Sequence, residues 1–247
     1  MNFGEFKDMY DLIPDESLIK FWDPILDSLG KGLGSLIYRI FHRPIEYKIV
    51  NEAALNDFVD QMSQKMRNIP DDFRDPSKLG LVLETLQNSV YQLNQEEIRA
   101  MFANLVANLA DKRKNSTITP RYVYILSQLG YEDAVFLREL VHQNGESVLH
   151  ARKAAINNNH IDKYISDYFL YFSGEKKVLS GFKPTINVLE SLGIIKETDE
   201  KLEYGIEDDS IVEKLDEKAE NDQDGTWLYR SISITSFGMD FLKYVVG

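Results

Sequence analysis

The sequence predicts a mainly α-helical protein: an N-terminal helical bundle followed by a C-terminal winged-helix-like module that carries a small β-hairpin. Two observations lead there. Apolar residues recur at helical spacing in one segment after another from Ile25 to Val141. Beyond Gly145 the order becomes helix, turn, strand, acidic excursion, strand and closing helix, which is the order of a winged helix. That change sets the expected domains, a helical one over 1–145 and a winged-helix-like one over 146–247 with an acidic insertion at 197–224.

The chain begins weakly, with Pro14 and Pro24 breaking the first pattern. Ile25, Leu29, Leu33, Leu36, Ile37, Ile40 and Phe41 then form a stripe opposite Asp27, Lys31, Ser35 and Arg39, an amphipathic helix from Pro24 to Phe41. Its Gly30, Gly32 and Gly34 lower helix propensity but let another backbone approach. After Pro44, the residues Leu55, Phe58, Val59, Met62 and Met66 repeat the pattern, which stops at the breaker-rich Ile69 to Pro76. Leu79, Val82, Leu83, Leu86 and Val90 mark a further helix from Leu79 to Leu93.

Asn94 followed by Glu97 has the spacing of a capping box, so a helix is expected from there to about Asp111. At about 100 degrees per residue, Ile98, Met101, Phe102, Leu105 and Leu109 share one face, while Ala100, Ala103, Ala107 and Ala110 gather on the other. Two faces can be buried. The strip between them holds Glu97, Asn104, Asn108 and Asp111, where this helix presents polar chemistry in a row, and these four are the candidate interaction residues.

A basic turn, Lys112 to Ser116, leads to Thr119-Pro120, an N-cap with Pro at the first helical position. Tyr122, Ile125, Leu126 and Leu129 form the next stripe, Gly130 ends it, and Glu132 to His142 continues as helix. Val148 to Ile156 and Ile161 to Tyr171 also read as helical, separated by Asn157-Asn158-Asn159. A helix from Phe182 to Leu192 is closed by Gly193, strands follow at Ile194 to Lys196 and Leu228 to Ile234, and Thr235 to Val246 closes the module.

The chain contains no cysteine, which removes disulfides, thiolate nucleophiles and Cys-ligated zinc and makes a reducing cytoplasm its natural home. No secretory signal is expected, because no basic segment precedes an apolar run near Met1. The longest apolar stretch, around Leu33 to Phe41, is too short to span a bilayer. Net charge is −12, and Lys196 to Asp224 alone holds four Lys against thirteen Asp or Glu, hence −9 of it. Such a segment repels phosphate backbones, so nucleic acid is disfavoured as a partner.

The stretch Glu97-Ile98-Arg99-Ala100-Met101-Phe102-Ala103-Asn104-Leu105-Val106-Ala107, with Thr119 to Leu129 and Asp133 to Leu137 after it, resembles the hallmark region of the Abi-alpha family, bacterial proteins named for abortive infection. The likeness extends through Pro24 to Gly30, Pro70 to Leu86, Leu189 to Ile195 and Ile232 to Gly238. The resemblance implies a role in phage defence and carries no assigned catalytic residues. The chain departs from the family pattern in the acidic excursion Glu197 to Asp224 and in Thr119 before the proline.

No motif argues for catalysis. His42, His142, His150 and His160 lack metal-ligand spacing, so no metal site is expected. Gly30-Lys31-Gly32-Leu33-Gly34 has neither the spacing nor the preceding strand of a nucleotide fingerprint, Gly174 to Lys177 reads as a turn, and no GxSxG elbow exists. The expected function is therefore a non-enzymatic abortive-infection protein without a cofactor, acting through a protein partner from host or phage or through a second copy of itself. Two other readings stand beside it. The Pro24 to Phe41 helix, with Lys31, Arg39 and Arg43, would suit a membrane surface, and the winged helix, with Lys183 and Glu190 as the only charges of its recognition helix, would suit a DNA-binding regulator.

Overall fold

The computed structural model describes residues 40–41, 43–142, 148–157, 160–171, 177–180, 183–198 and 226–247, together with the helical residues 213, 215 and 217. Most of the expected helix Pro24 to Phe41, its glycine run, and most of the acidic insertion 197–224 lie outside the described residues. The protein is mainly helical, with one antiparallel sheet in its C-terminal half.

The chain divides into two compact units, residues 1–131 with 243–247, and residues 132–242. The expected boundary at 145/146 falls inside the second of these. In the first unit, α1 runs from Glu52 to Arg67. Asn51 caps it by accepting the Ala53 amide at 2.9 Å, and Glu52 at its start and Lys65 and Arg67 at its end complement the helix dipole. Short 3-10 turns at Asp71–Phe73 and Pro76–Lys78 lead to α2, Leu79–Ser89. Helix α3, Glu96–Leu109, packs against α1, α2 and the following α4, Pro120–Gln128. Both faces read from the sequence are buried: Ile98, Phe102, Leu105 and Leu109 on one side, Ala103, Ala107 and Ala110 on the other.

Asn94 does not cap α3, whose N-cap is Gln95 and makes no side-chain bond. The Asn94 side chain instead reaches back to the segment before α1, donating to the Ile49 carbonyl at 2.8 Å and accepting the Asn51 amide at 2.9 Å. The local pattern is that of a cap; a partner 43 to 45 residues away takes the side chain. Thr119 does occupy the N-cap position of α4, with Pro120 behind it.

Helix α5, Tyr131–His142, begins at the junction of the units. The two segments expected to be helices after it are strands. Strand β1, Val148–Asn157, and β2, His160–Tyr171, pair antiparallel, and with β3, Lys177–Ser180, β4, Ile195–Thr198, and β5, Thr226–Ile234, they form a five-stranded sheet in the order β3-β2-β1-β5-β4. The expected hairpin is its β4–β5 edge. Central strand β1 is covered on both sides, with Val148, His150 and Ala154 buried on one face and Leu149 and Ala151 on the other, so it lacks the apolar-polar alternation that reveals a strand. Leu149, Ala151, Tyr168 and Leu215 form a core, against which Trp227 and Tyr229 pack.

Helix α6, Lys183–Ser191, ends in a complete Schellman motif. Ile194 donates to the Leu189 carbonyl and Gly193 to that of Glu190, both at 2.9 Å, with Gly193 at a φ of 74°. The turn brings Ile194 to the start of α7, Ser236–Val245, where Thr235 both donates its hydroxyl to the Gly193 carbonyl at 2.6 Å and accepts the Gly238 amide at 2.9 Å. A Cβ on Gly238 would lie 2.0 Å from the Ile194 carbonyl oxygen, a backbone atom that cannot swing aside. Gly238→Ala is therefore expected to destabilise the protein by about 2 kcal/mol or more, the range of an overpacked core, as read by chemical unfolding.

Candidate functional site

The polar strip of α3 faces the end of α7. Asn104 donates through Nδ2 to the carbonyls of Val245 at 2.8 Å and Val246 at 3.1 Å. One turn later, the Asn108 Nδ2 donates to the Tyr244 carbonyl at 2.8 Å, while its Oδ1 accepts from the Lys114 ammonium at 3.0 Å. The last carbonyls of a helix have no intrahelical donor. Here the two amides supply one from a helix some 140 positions earlier, and Tyr244 adds a hydroxyl contact to Thr117 at 2.9 Å and an edge-to-face contact with Tyr122.

Asp111 is buried just beyond the end of α3 and grips Arg113, with contacts of 2.6 to 3.2 Å from the guanidinium and 3.0 Å from the Arg113 amide. The Arg113 hydrogen bond holds its carboxyl below the usual carboxylate range, against the opposing effect of burial. Around it, Asp75 donates its amide to the Ala110 carbonyl, Lys112 donates to that of Phe73, and Asn115 donates to both Asp75 and the Leu109 carbonyl. The Arg113 guanidinium also lies over the Phe73 ring at 4.8 Å. Asn104, Asn108 and Asp111 thus line one cleft of about 290 Å³ together with Lys65, Asn68, Arg113, Lys114 and Lys243. Glu97, half-buried two turns earlier, lies outside it.

A second polar centre sits in the sheet. His150 on β1 is fully buried, its Nδ1 2.5 Å from Glu197 Oε1 on β4 and its Nε2 3.3 Å from Asp167 Oδ1 on β2. Arg152 on β1 stands opposite Asp167, with Nε 3.0 Å from its carboxylate, and Arg230 on β5 stands opposite His150 and donates to Glu197 Oε2 at 3.0 Å. Four strands thus contribute to one row of charges. Burial disfavours the charged imidazole, but the hydrogen bonds to Asp167 and Glu197 outweigh it and raise the His150 pKa. Burial likewise opposes ionisation of Glu197, yet His150 and Arg230 hold its pKa at about 2. The network ties four strands together and favours the charged form of its histidine.

The strip was legible as two amides and two carboxylates along a helix; its donors' targets were not. The histidine network was missed because its strands were read as helices, which removes the i, i+2 relation placing His150 and Arg152 on one face. Among the described residues no group of three or more His, Asp or Glu is arranged to hold a metal ion, and no helix is long and apolar enough to cross a membrane.

A family model described as abortive infection alpha matches residues 50–245, most of the chain. The chain belongs to the abortive infection alpha family. Its matched span runs from the residue before the α1 cap to the carbonyl that Asn104 holds, so both polar centres lie within the abortive infection alpha region, which associates the chain with abortive infection. No curated protein and no solved structure matches it.

Asn108→Ala leaves the Tyr244 carbonyl without its donor and is expected to destabilise by about 1 to 3 kcal/mol, measured by denaturant unfolding. Asn108→Asp, which sets a carboxylate against that carbonyl, should lower stability further. For the sheet, the raised His150 pKa means that its stabilisation is complete below about pH 6.5 and is lost as pH rises through the folded-state value, whereas that of Glu197 is complete above about pH 4.5 and is lost as pH falls toward 2. Thermal unfolding of the wild type should therefore weaken on the alkaline side of pH 6.5. In His150→Gln that alkaline loss should be absent, and the protein less stable throughout.

Proposed function

We propose that this member of the abortive infection alpha family is a cytoplasmic phage-defence protein that acts by binding a partner protein and not by catalysis. The observation that carries the reading is a set of exposed aromatic residues held around one short connection. Tyr47, Tyr91 and Tyr124 are 69%, 76% and 60% exposed, and Ile49 and Tyr131 are also open. The connection between α2 and α3 ties their segments together: Asn94 bonds the backbone at Ile49 and Asn51, and Gln92 donates to the carbonyls of Ser127 and Leu129 at 3.0 and 3.1 Å. Tyrosine is enriched at interfaces because it offers a large, rigid contact area at low entropic cost. Holding such residues in the open on segments tied together by side-chain hydrogen bonds suits a surface prepared for another macromolecule.

The order α6, β4, β5, α7 supports reading this part of the second unit as a winged-helix-like module built onto a larger sheet. The exposed positions described along α6 are Pro184, Asn187, Glu190 and Ser191, and the one cation in the helix sequence, Lys183, is matched by Glu190. That favours protein over DNA as what such a module would contact.

The test is plaque formation on cells expressing the wild type or Tyr91→Ser/Tyr124→Ser. The wild type should protect and the double variant should not, with unfolding midpoints alike because both side chains are exposed. Equal protection by the variant would remove the tyrosine surface from the mechanism, and no protection by the wild type would sink the defence reading.

A further inference from the structure

In a chain of net charge −12, the cleft at the end of α3 is lined by four cationic side chains and one acidic side chain, with the backbone of Gly247 beside them. The acidic side chain, Asp111, is engaged by Arg113. Lys114 donates to the neutral Asn108 oxygen at 3.0 Å and lies within electrostatic reach of Asp111, Lys243 lies over the Tyr244 ring at 5.3 Å, and the Lys65 ammonium has no hydrogen-bond or ion-pair partner among the described residues. Lys65, Lys114 and Lys243 thus line about 290 Å³ in which Asp111, already engaged by Arg113, is the one acidic side chain.

Lysines near helix ends ordinarily complement exposed carbonyls, and α1, α3 and α7 all end at this cleft. The carbonyls here are already served by other donors. Asn104 and Asn108 take those of residues 244 to 246, the amides of Asn68 and Ala110 take those of their own last turns, and Asn115 takes that of Leu109. Those carbonyls therefore do not require the three lysines.

We propose that this cleft binds a small phosphate-bearing anion, with Lys65, Lys114 and Lys243 as its ligands. A phosphate or diphosphate group supplies two or more negative charges on tetrahedral oxygens, which matches several point-like ammonium donors better than a single carboxylate does. The volume accepts the phosphate group of a free phosphorylated small molecule or of a phospholipid headgroup. This site is separate from the exposed tyrosines, and each can fail without the other.

Isothermal titration of the full chain with inorganic pyrophosphate at low ionic strength tests it, alongside sedimentation with phosphatidic acid vesicles and with phosphatidylcholine vesicles. Pyrophosphate should bind saturably, more weakly as salt is added, and Lys65→Met or Lys243→Met should each weaken binding roughly tenfold. Lys196→Met, on an exposed strand position outside the cleft, should bind as the wild type does. Lysine-dependent sedimentation with phosphatidic acid but no pyrophosphate binding would place the same chemistry on a lipid headgroup. Absence of binding to both probes, or binding that the Lys65 and Lys243 variants leave unaltered, would overturn the proposal. If those variants lower the unfolding midpoint without changing a measured affinity, the lysines serve the helix ends and the site is withdrawn.

Discussion

Helix α3 is buried on two sides at once, and the rest of the first unit is arranged around that constraint. A helix that packs Phe102 and Leu105 on one face and Ala103 and Ala107 on another has little circumference left for polar groups. What remains is the strip carrying Asn104 and Asn108, and a buried amide must find partners or destabilise the fold. The end of α7 supplies them, and its own carbonyls need donors for the same reason. The two requirements are met by the same three hydrogen bonds.

The sheet solves a related problem by different means. Strand β1 is covered on both faces, and one of those faces holds a histidine. Breaking a buried ion pair by removing one partner is costly because the other charge stays behind. Each member of the row from Asp167 to Glu197 is touched by a group of opposite charge on a neighbouring strand, which makes the network a specification of register as much as a source of stability. A one-residue slip of β1 would turn His150 and Arg152 to the opposite face, where Leu149 and Ala151 now pack.

How much of this was legible follows from which information is local. The stripes of α1 to α5 could be read because each helix shows a period in its own sequence, and Gly193 and Thr119 could be placed because caps depend on nearby backbone. Asn94 misled because its real partners precede α1. Strands β1 and β2 were read as helices because Ala151, Ala154 and Ala155 favour helix and because charged and apolar residues share both faces. The α3 strip was visible as polar positions, but nothing local shows that Asn104 and Asn108 point at the end of α7. The cationic cleft was likewise invisible, since Lys65 and Lys243 each look like ordinary last-turn lysines until the helix ends are brought together.

The return of residues 243–247 to the first unit also orders events during synthesis. Residues 52 to 131 emerge with their stripes complete, yet Asn104 and Asn108 have no carbonyls to hold until Tyr244 and Val245 exist. At about 5 to 20 residues per second, the gap is roughly 6 to 20 seconds. Throughout that interval two amides and the seat for Tyr244 stand open on a nascent helical unit, and a chaperone or an early partner would meet a surface that the finished protein no longer offers.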